Sequence, residues 1–188
     1  PKDVVLFGFG RIGRLVAREL IKQAGKGQQL RLKGIVVRNI SNEQMIKRCD
    51  LFRNDSVHGA YKADIDLNLK EKCLTVNGQR IYFIEGKNHS EINYNKYGIN
   101  DALLIDNSGA FTDKDSLSNH LESTGISKVL LTAPGKGIPN IVYGINSKEL
   151  DIENSKIVSA ASCTTNCIAP ILHVIESEYG ISSGHLET

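Results

Sequence analysis

Val4-Val5-Leu6-Phe7-Gly8-Phe9-Gly10-Arg11-Ile12-Gly13 is the stretch on which the reading of this 188-residue chain turns. Val4 to Phe7 is a short apolar run that stops at a glycine, the shape of a parallel strand buried on both faces. Beyond the glycines, Ile12, Leu15, Val16 and Leu20 fall on one side of a helical wheel with charges on the other, which predicts an amphipathic helix. Gly8, Gly10 and Gly13 therefore form a GxGxxG turn between a strand and a helix. The first glycine permits a tight turn and the second lets a pyrophosphate reach the backbone. The third allows the helix to pack close to the strand. The helix start then offers unpaired N–H groups and a positive partial charge to phosphates. Gly8, Phe9, Gly10, Arg11, Ile12 and Gly13 are the predicted cofactor-binding turn.

Working outward, strands are expected at Leu30–Val37, Ala102–Asp106 and Lys128–Thr132, with shorter ones at Ile141–Tyr143 and Lys156–Ser159. Helices are expected at Asn42–Leu51 and Asp113–Leu121, and a loop over Ala24–Gln29. Between Tyr61 and Ile84 the apolar residues alternate, and Asn77-Gly78 interrupts them as a strong hairpin signal. Alternating strand and helix over most of the chain predicts an α/β fold with a mostly parallel sheet and an antiparallel excursion. No repeat or low-complexity segment interrupts it.

The second strand ends Val36-Val37-Arg38-Asn39, where a dinucleotide fold ordinarily has a carboxylate for the adenosine ribose. Asn39 could bond a ribose hydroxyl without repelling a 2′-phosphate, and Arg38 could attract one. NAD and NADP both stay open as the cofactor.

A second motif is Ser159-Ala160-Ala161-Ser162-Cys163-Thr164-Thr165-Asn166-Cys167, followed by Ile168, Ile171, Leu172 and Ile175 at helical spacing. Cys163 thus stands where a strand gives way to a helix. The free N–H groups and dipole of a helix start stabilise negative charge, which suits a thiolate nucleophile and then an oxyanion. Ser162 and Thr164 flank it with hydroxyls suited to an oxyanion or a phosphate. Pro170 is awkward inside such a helix and should kink it. A lone cysteine is otherwise a small buried hydrophobe, a reading that suits Cys49, Cys73 and Cys167. Polar neighbours on both sides make Cys163 the nucleophile.

Composition narrows the class. With 40% apolar and 23% charged residues the chain is an ordinary globular one. No apolar run spans a bilayer, and no signal segment opens the chain. A net charge of +2 without basic blocks, and 6% aromatics, give nucleic acid no footing. The four cysteines lack CxxC spacing and a histidine cluster, so no metal site is expected, and a reducing, cytoplasmic setting is the simpler one.

Together these residues resemble the phosphorylating glyceraldehyde-3-phosphate dehydrogenase family. The likeness rests on Gly8 to Arg14 and on Ser162-Cys163-Thr164-Thr165-Asn166. Asp55-Ser56-Val57-His58-Gly59, Asp106-Asn107-Ser108-Gly109 and Thr132-Ala133-Pro134 support it in the family's order. It covers essentially the whole chain. The resemblance implies a Rossmann-type NAD(P)-binding domain over residues 1–161 and the first helix of a truncated catalytic domain over 162–188. It implies oxidation of glyceraldehyde 3-phosphate with inorganic phosphate through a Cys163 thioester, in a homotetramer when full length. It gives Arg11 and Ile12 backbone contacts to pyrophosphate and puts Asn39 at the ribose. Lys87 falls near the adenine, and Ser108, with Gly109 beside it, and Thr132 line the nicotinamide half. Ser162 and Thr164 bind inorganic phosphate.

Phe7 and Ala160 depart from the family, which usually has asparagine at both places. The family's general-base histidine falls just beyond Thr188, and neither His173 nor His185 takes its place, so these 188 residues alone are expected not to turn over. Erythrose-4-phosphate dehydrogenase, a sister family with the same nucleophile, is the nearest rival. A non-catalytic nucleotide-binding module is another, and aspartate-semialdehyde dehydrogenase ranks below both because its phosphate loop differs.

Overall fold

The computed structural model describes residues 1–24, 29–86, 90 and 92–188. In chain order its elements are β1 (Lys2–Phe7), α1 (Arg11–Gln23), β2 (Leu30–Val37), α2 (Asn42–Arg53), β3 (Asn54–Asp55) and β4 (Gly59–Ala60). These are followed by β5 (Ile65–Asn68), β6 (Cys73–Val76), β7 (Gln79–Glu85) and β8 (Ala102–Asp106). The last are α3 (Lys114–Ser118), β9 (Ile126–Leu131), β10 (Ile157–Ser159) and α4 (Cys163–Tyr179).

The main sheet has eight strands in the order β10-β9-β8-β1-β2-β7-β6-β5. From β7 to β10 every pairing is parallel. Numbered among themselves, these parallel strands run 3-2-1-4-5-6, the doubly wound order of a Rossmann-type domain. The alternation of side chains along β1 shows why both faces are covered. Val4 and Leu6 enter one apolar cluster with Ala17, Met45 and Phe52 from α1 and α2. Val5 enters the other, with Leu104, Leu117 and Val129.

The antiparallel excursion is present, but it is shorter than the alternation predicted. β5 and β6 are antiparallel, whereas β7 pairs antiparallel with β6 on one edge and parallel with β2 on the other. The hairpin's second arm is therefore the third parallel strand. Asn77 and Gly78 both have positive φ, 49° and 80°, as a two-residue hairpin loop matched to strand twist requires.

Two other expectations are corrected. Ile141–Tyr143 is not a strand. The Ile141 N–H donates to the Ser159 carbonyl at 2.7 Å and Asn140 makes an isolated parallel bridge to Ser159. Asn146 Oδ1 then takes the Val142 N–H at 2.8 Å and Tyr143 is exposed, so the pairing with β10 goes no further. The buried stripe of α1 is Gly13, Ala17 and Ile21, while Ile12 is exposed. Small residues face the sheet because the helix lies so near it; Val16 and Leu20 pack at the flank. No helix among the described residues is long and apolar enough to cross a membrane.

A Cβ added at Gly13 would lie 2.5 Å from the Gly8 carbonyl oxygen. Since that neighbour is backbone, Gly13→Ala must push α1 off β1. The expected cost is about 1–3 kcal/mol, measured as a fall in the free energy of urea unfolding; an unchanged midpoint would contradict the close packing.

Candidate active site

The strands run parallel, so the glycine turn after β1, Asn39 after β2, Ser108 after β8, Thr132 after β9 and Cys163 after β10 all gather at one edge of the sheet. The strand order reverses between β1 and β8, the crevice where open α/β sheets take their ligands. Here lies a cleft of about 440 Å³, whose walls include Gly8, Phe9, Gly10, Arg38, Asn107 and Ser108.

The three glycines do different work. Gly8 has φ +93°, and a Cβ there would sit 3.0 Å from the Ser108 backbone, so only glycine lets the two loops meet. Gly13 seats the helix. At Gly10 a Cβ would meet nothing within 4 Å, and this residue caps α1 without any side-chain hydrogen bond. The first free N–H groups of the helix, Arg11 to Gly13, thus open beside a bare backbone. The Arg11 side chain turns elsewhere: Nη2 donates to Ser56 Oγ at 2.9 Å and Nε lies 3.6 Å from Asp55.

Asp55 is buried beneath this turn. Its Oδ1 accepts the backbone N–H groups of His58 and Val57, both at 3.0 Å. Those bonds, then the His58 ring and the Arg11 charge, hold the carboxyl well below the usual carboxylate range. Arg14 adds a contact at 3.7 Å and also donates to the Phe9 carbonyl. The Asp55 hairpin therefore clamps the start of α1.

Across the cleft, Asp106 Oδ1 accepts the Ser108 N–H at 2.8 Å, and Oδ2 lies 3.0 Å from His120 Nε2. Both residues are fully buried. Phe7 presses edge-on against His120 with centroids 4.7 Å apart. Thr132 spends its hydroxyl on the Asp106 carbonyl at 3.0 Å. Asn107 Oδ1 is buried without a hydrogen-bond partner among the described residues, an acceptor left over on the cleft wall.

Beyond β2, Asn39 Oδ1 accepts the Ser41 N–H at 2.7 Å. Arg48 donates to the Asn39 carbonyl at 3.0 Å and lines the cleft with Arg38. Partial burial pulls the Arg48 guanidinium below its ordinary value. The expectation for Lys87 lies outside the described residues.

Cys163 follows a tight strand-to-helix turn. Ala161 is left-handed at φ 58°, and its N–H is held by the buried Ser159 hydroxyl at 2.9 Å. Ser162 caps α4, accepting the Thr165 N–H at 2.9 Å and meeting the Thr165 hydroxyl at 2.6 Å. Asn166 fastens the turn through the carbonyls of Ala160 and Ser162, at 2.7 and 2.9 Å. The thiol and Thr164 are thereby placed on the first turn of the helix, with Cys163 exposed.

The helix continues through Pro170, and none of its residues is buried. Cys167, expected inside, is exposed because no described element covers this face of α4. Cys49 and Cys73 are buried and their thiols are pushed up by desolvation, in keeping with inert core residues. No group of His, Cys, Asp and Glu among the described residues could hold a metal ion.

Reading the sequence did not single out Arg48, Asn107 or Phe111 as wall residues. Asn107 carried a signal, being polar at the end of a buried strand. Arg48 carried none, because its direction depends on how α2 docks.

Residues 2–114 match the family model described as the NAD binding domain of glyceraldehyde 3-phosphate dehydrogenase. The chain belongs to the glyceraldehyde-3-phosphate dehydrogenase family. Residues 162–188 match the model for that enzyme's C-terminal domain. NAD is the cofactor this domain serves. The open backbone at Gly10 and the spare Asn107 acceptor fit such a ligand. A glyceraldehyde-3-phosphate dehydrogenase-like protein of Pseudomonas aeruginosa is 49% identical over 187 residues, covering 99% of this chain and 40% of that protein. Glyceraldehyde-3-phosphate dehydrogenase of Chlamydia pneumoniae is 36% identical over 186 residues, 98% of this chain and 52% of its own length. Glyceraldehyde-3-phosphate dehydrogenase 2 of Bacillus subtilis is likewise 36% identical, with 51% of its length covered. The chain spans about half the length of these relatives or less.

The clamp on α1 carries a pH dependence. A carboxyl held low in the folded state adds stability above its unfolded value near 3.9, and that stability is lost as pH falls through the folded value. Asp55→Asn should lower the melting temperature at pH 7 and matter progressively less below about pH 4. Thermal melts of both proteins across pH check this; a penalty independent of pH would contradict it.

Proposed function

We propose that residues 1–161 bind NAD for a phosphorylating oxidation of glyceraldehyde 3-phosphate, and that 162–188 begin the catalytic domain. The observation that carries the reading is Cys163 on the first turn of α4, at the same sheet edge as the glycine turn and three strands from it. The matches to both family models support the division.

Gly8 to Gly13 hold the pyrophosphate through bare backbone, Arg11 and Ile12 donating their N–H groups. Ser108, Gly109 and Thr132 line the nicotinamide half, with Asn107 supplying an acceptor. When bound, the nicotinamide accepts a hydride. The Cys163 thiolate adds to the aldehyde carbon, forming a C–S bond as the C=O π bond opens. The oxygen takes a proton from the protonated base to give a hemithioacetal with a hydroxyl. As that hydroxyl loses its proton to a base, the hydride leaves the same carbon and a thioester remains on Cys163. Inorganic phosphate, held by Ser162 and Thr164, attacks the carbonyl. The C–S bond breaks, releasing 1,3-bisphosphoglycerate and restoring the thiolate.

The base comes from the rest of the catalytic domain, since the chain spans about half or less of the length of its relatives. His173 lies ten residues along α4 from Cys163, about 15 Å at the helical rise, and cannot serve from there. The exposed Ile171, Leu172, Val174 and Ile175 form a face for the rest of that domain to cover. The whole enzyme works as a homotetramer in a reducing, cytoplasmic setting, and these 188 residues alone do not turn over.

In the full-length protein, Cys163→Ala should lower kcat by about a thousandfold or more while NAD affinity is retained. Full activity in that variant would contradict the nucleophile's assignment, whereas NAD binding without turnover by the unaltered full-length protein would favour a non-catalytic nucleotide-binding role. Faster turnover of erythrose 4-phosphate than of glyceraldehyde 3-phosphate would overturn the substrate assignment. Gly10→Ala separates the turn's ligand role from its structural one. The melting temperature should fall only slightly, by the poorer N-cap that alanine makes, since the added methyl meets no protein atom within 4 Å. NAD affinity by calorimetry should fall about tenfold or more, because the methyl blocks the phosphate's approach; equal affinity would contradict the assigned pyrophosphate site.

A further inference from the structure

The far end of the cleft, where β2 gives way to α2, is built from donors. Asn39 commits its carbonyl oxygen to the Ser41 N–H, so the amide's NH2 is what it has left to offer a ligand, as a donor. Arg38 extends from the strand end and is exposed. Arg48 reaches back from α2, anchored on the Asn39 carbonyl by Nη1, with further guanidinium donors to offer. Among the described residues lining the cleft, these two arginines are the charged ones, and no carboxylate joins them. A dinucleotide fold selective for an unphosphorylated ribose uses a carboxylate at this turn, which accepts from the ribose hydroxyls. A cluster of donors with two positive charges reverses that preference, because it favours an anion held by charge-assisted hydrogen bonds.

We propose that Arg38, Arg48 and the Asn39 amide form a site for the adenosine 2′-phosphate, so that the cleft accepts NADP as well as NAD. This rests on the reading of the cleft as a dinucleotide site. Arg48 is the specificity-determining residue the sequence did not reveal; its bond to the Asn39 backbone ties the two arginines to one turn.

The test compares adenosine 2′,5′-bisphosphate with adenosine 5′-monophosphate by calorimetry on the full-length protein. Neither probe carries nicotinamide, so catalysis does not enter. The bisphosphate should bind about tenfold tighter or better, as expected of charge-assisted bonds to one added phosphate. Arg38→Gln and Arg48→Gln should each remove most of that gain, with monophosphate affinity kept as the sign of an intact fold, and Asn39→Asp should abolish it by setting a carboxylate against the 2′-phosphate. Should Arg48→Gln lose both probes through misfolding, the exposed Arg38 decides. Equal affinity of the unaltered protein for the two probes would overturn the 2′-phosphate site alone, and so would an undiminished preference in the Arg38 variant. Failure of the monophosphate and of NAD to bind at all would overturn the dinucleotide reading together with it.

Discussion

The close approach of α1 to β1 is the constraint on which the rest depends. Gly13 sits so near the Gly8 carbonyl that a single methyl would part them. That contact aims the start of the helix at the carboxyl edge of the sheet, where its unpaired N–H groups are useful. It also explains why Gly13 and Ala17, rather than bulkier neighbours, face the strands. Gly8 answers the same demand on the other side, since its turn must pass the Ser108 backbone without a side chain. Buried polar groups then fix both walls: Asp55 beneath the helix, and Asp106 with His120 beneath the opposite loop.

The second half of the site follows a related logic at the other end of the parallel run. A strand ends, one residue adopts a left-handed turn, and a helix begins with Cys163 on its first turn. Ser159, Ser162 and Asn166 satisfy the backbone around that turn, so the geometry is enforced by local hydrogen bonds. It is set by neighbours in sequence, and so survives on a helix that buries none of its own residues. Separation of the two halves by three parallel strands is about 14 Å at the usual strand spacing.

Much of this was legible in the sequence because the informative signals are local. A glycine turn between strand and helix, an Asn-Gly between alternating runs and a polar segment before an apolar helix each constrain backbone directly. The α/β class with a mostly parallel sheet followed from their order, and the family resemblance added the Rossmann type. What the sequence withheld depended on docking. The face α1 presents could not be inferred from hydrophobicity, because closeness favours small residues over large ones. The dual pairing of β7 could not either, since its alternation serves an antiparallel and a parallel neighbour equally. Arg48 is the sharpest case: a charged residue on a helix reads as solvent-facing until α2 is laid beside the Asn39 turn.

In the proposed function Cys163 is the residue that links cofactor and substrate. The most direct measurement is mass spectrometry of the full-length protein mixed with glyceraldehyde 3-phosphate and NAD while phosphate is withheld. An acyl group should accumulate on the peptide containing Cys163, only when NAD is present, and should disappear on adding inorganic phosphate. Acylation at another cysteine, or none at any, would contradict the account.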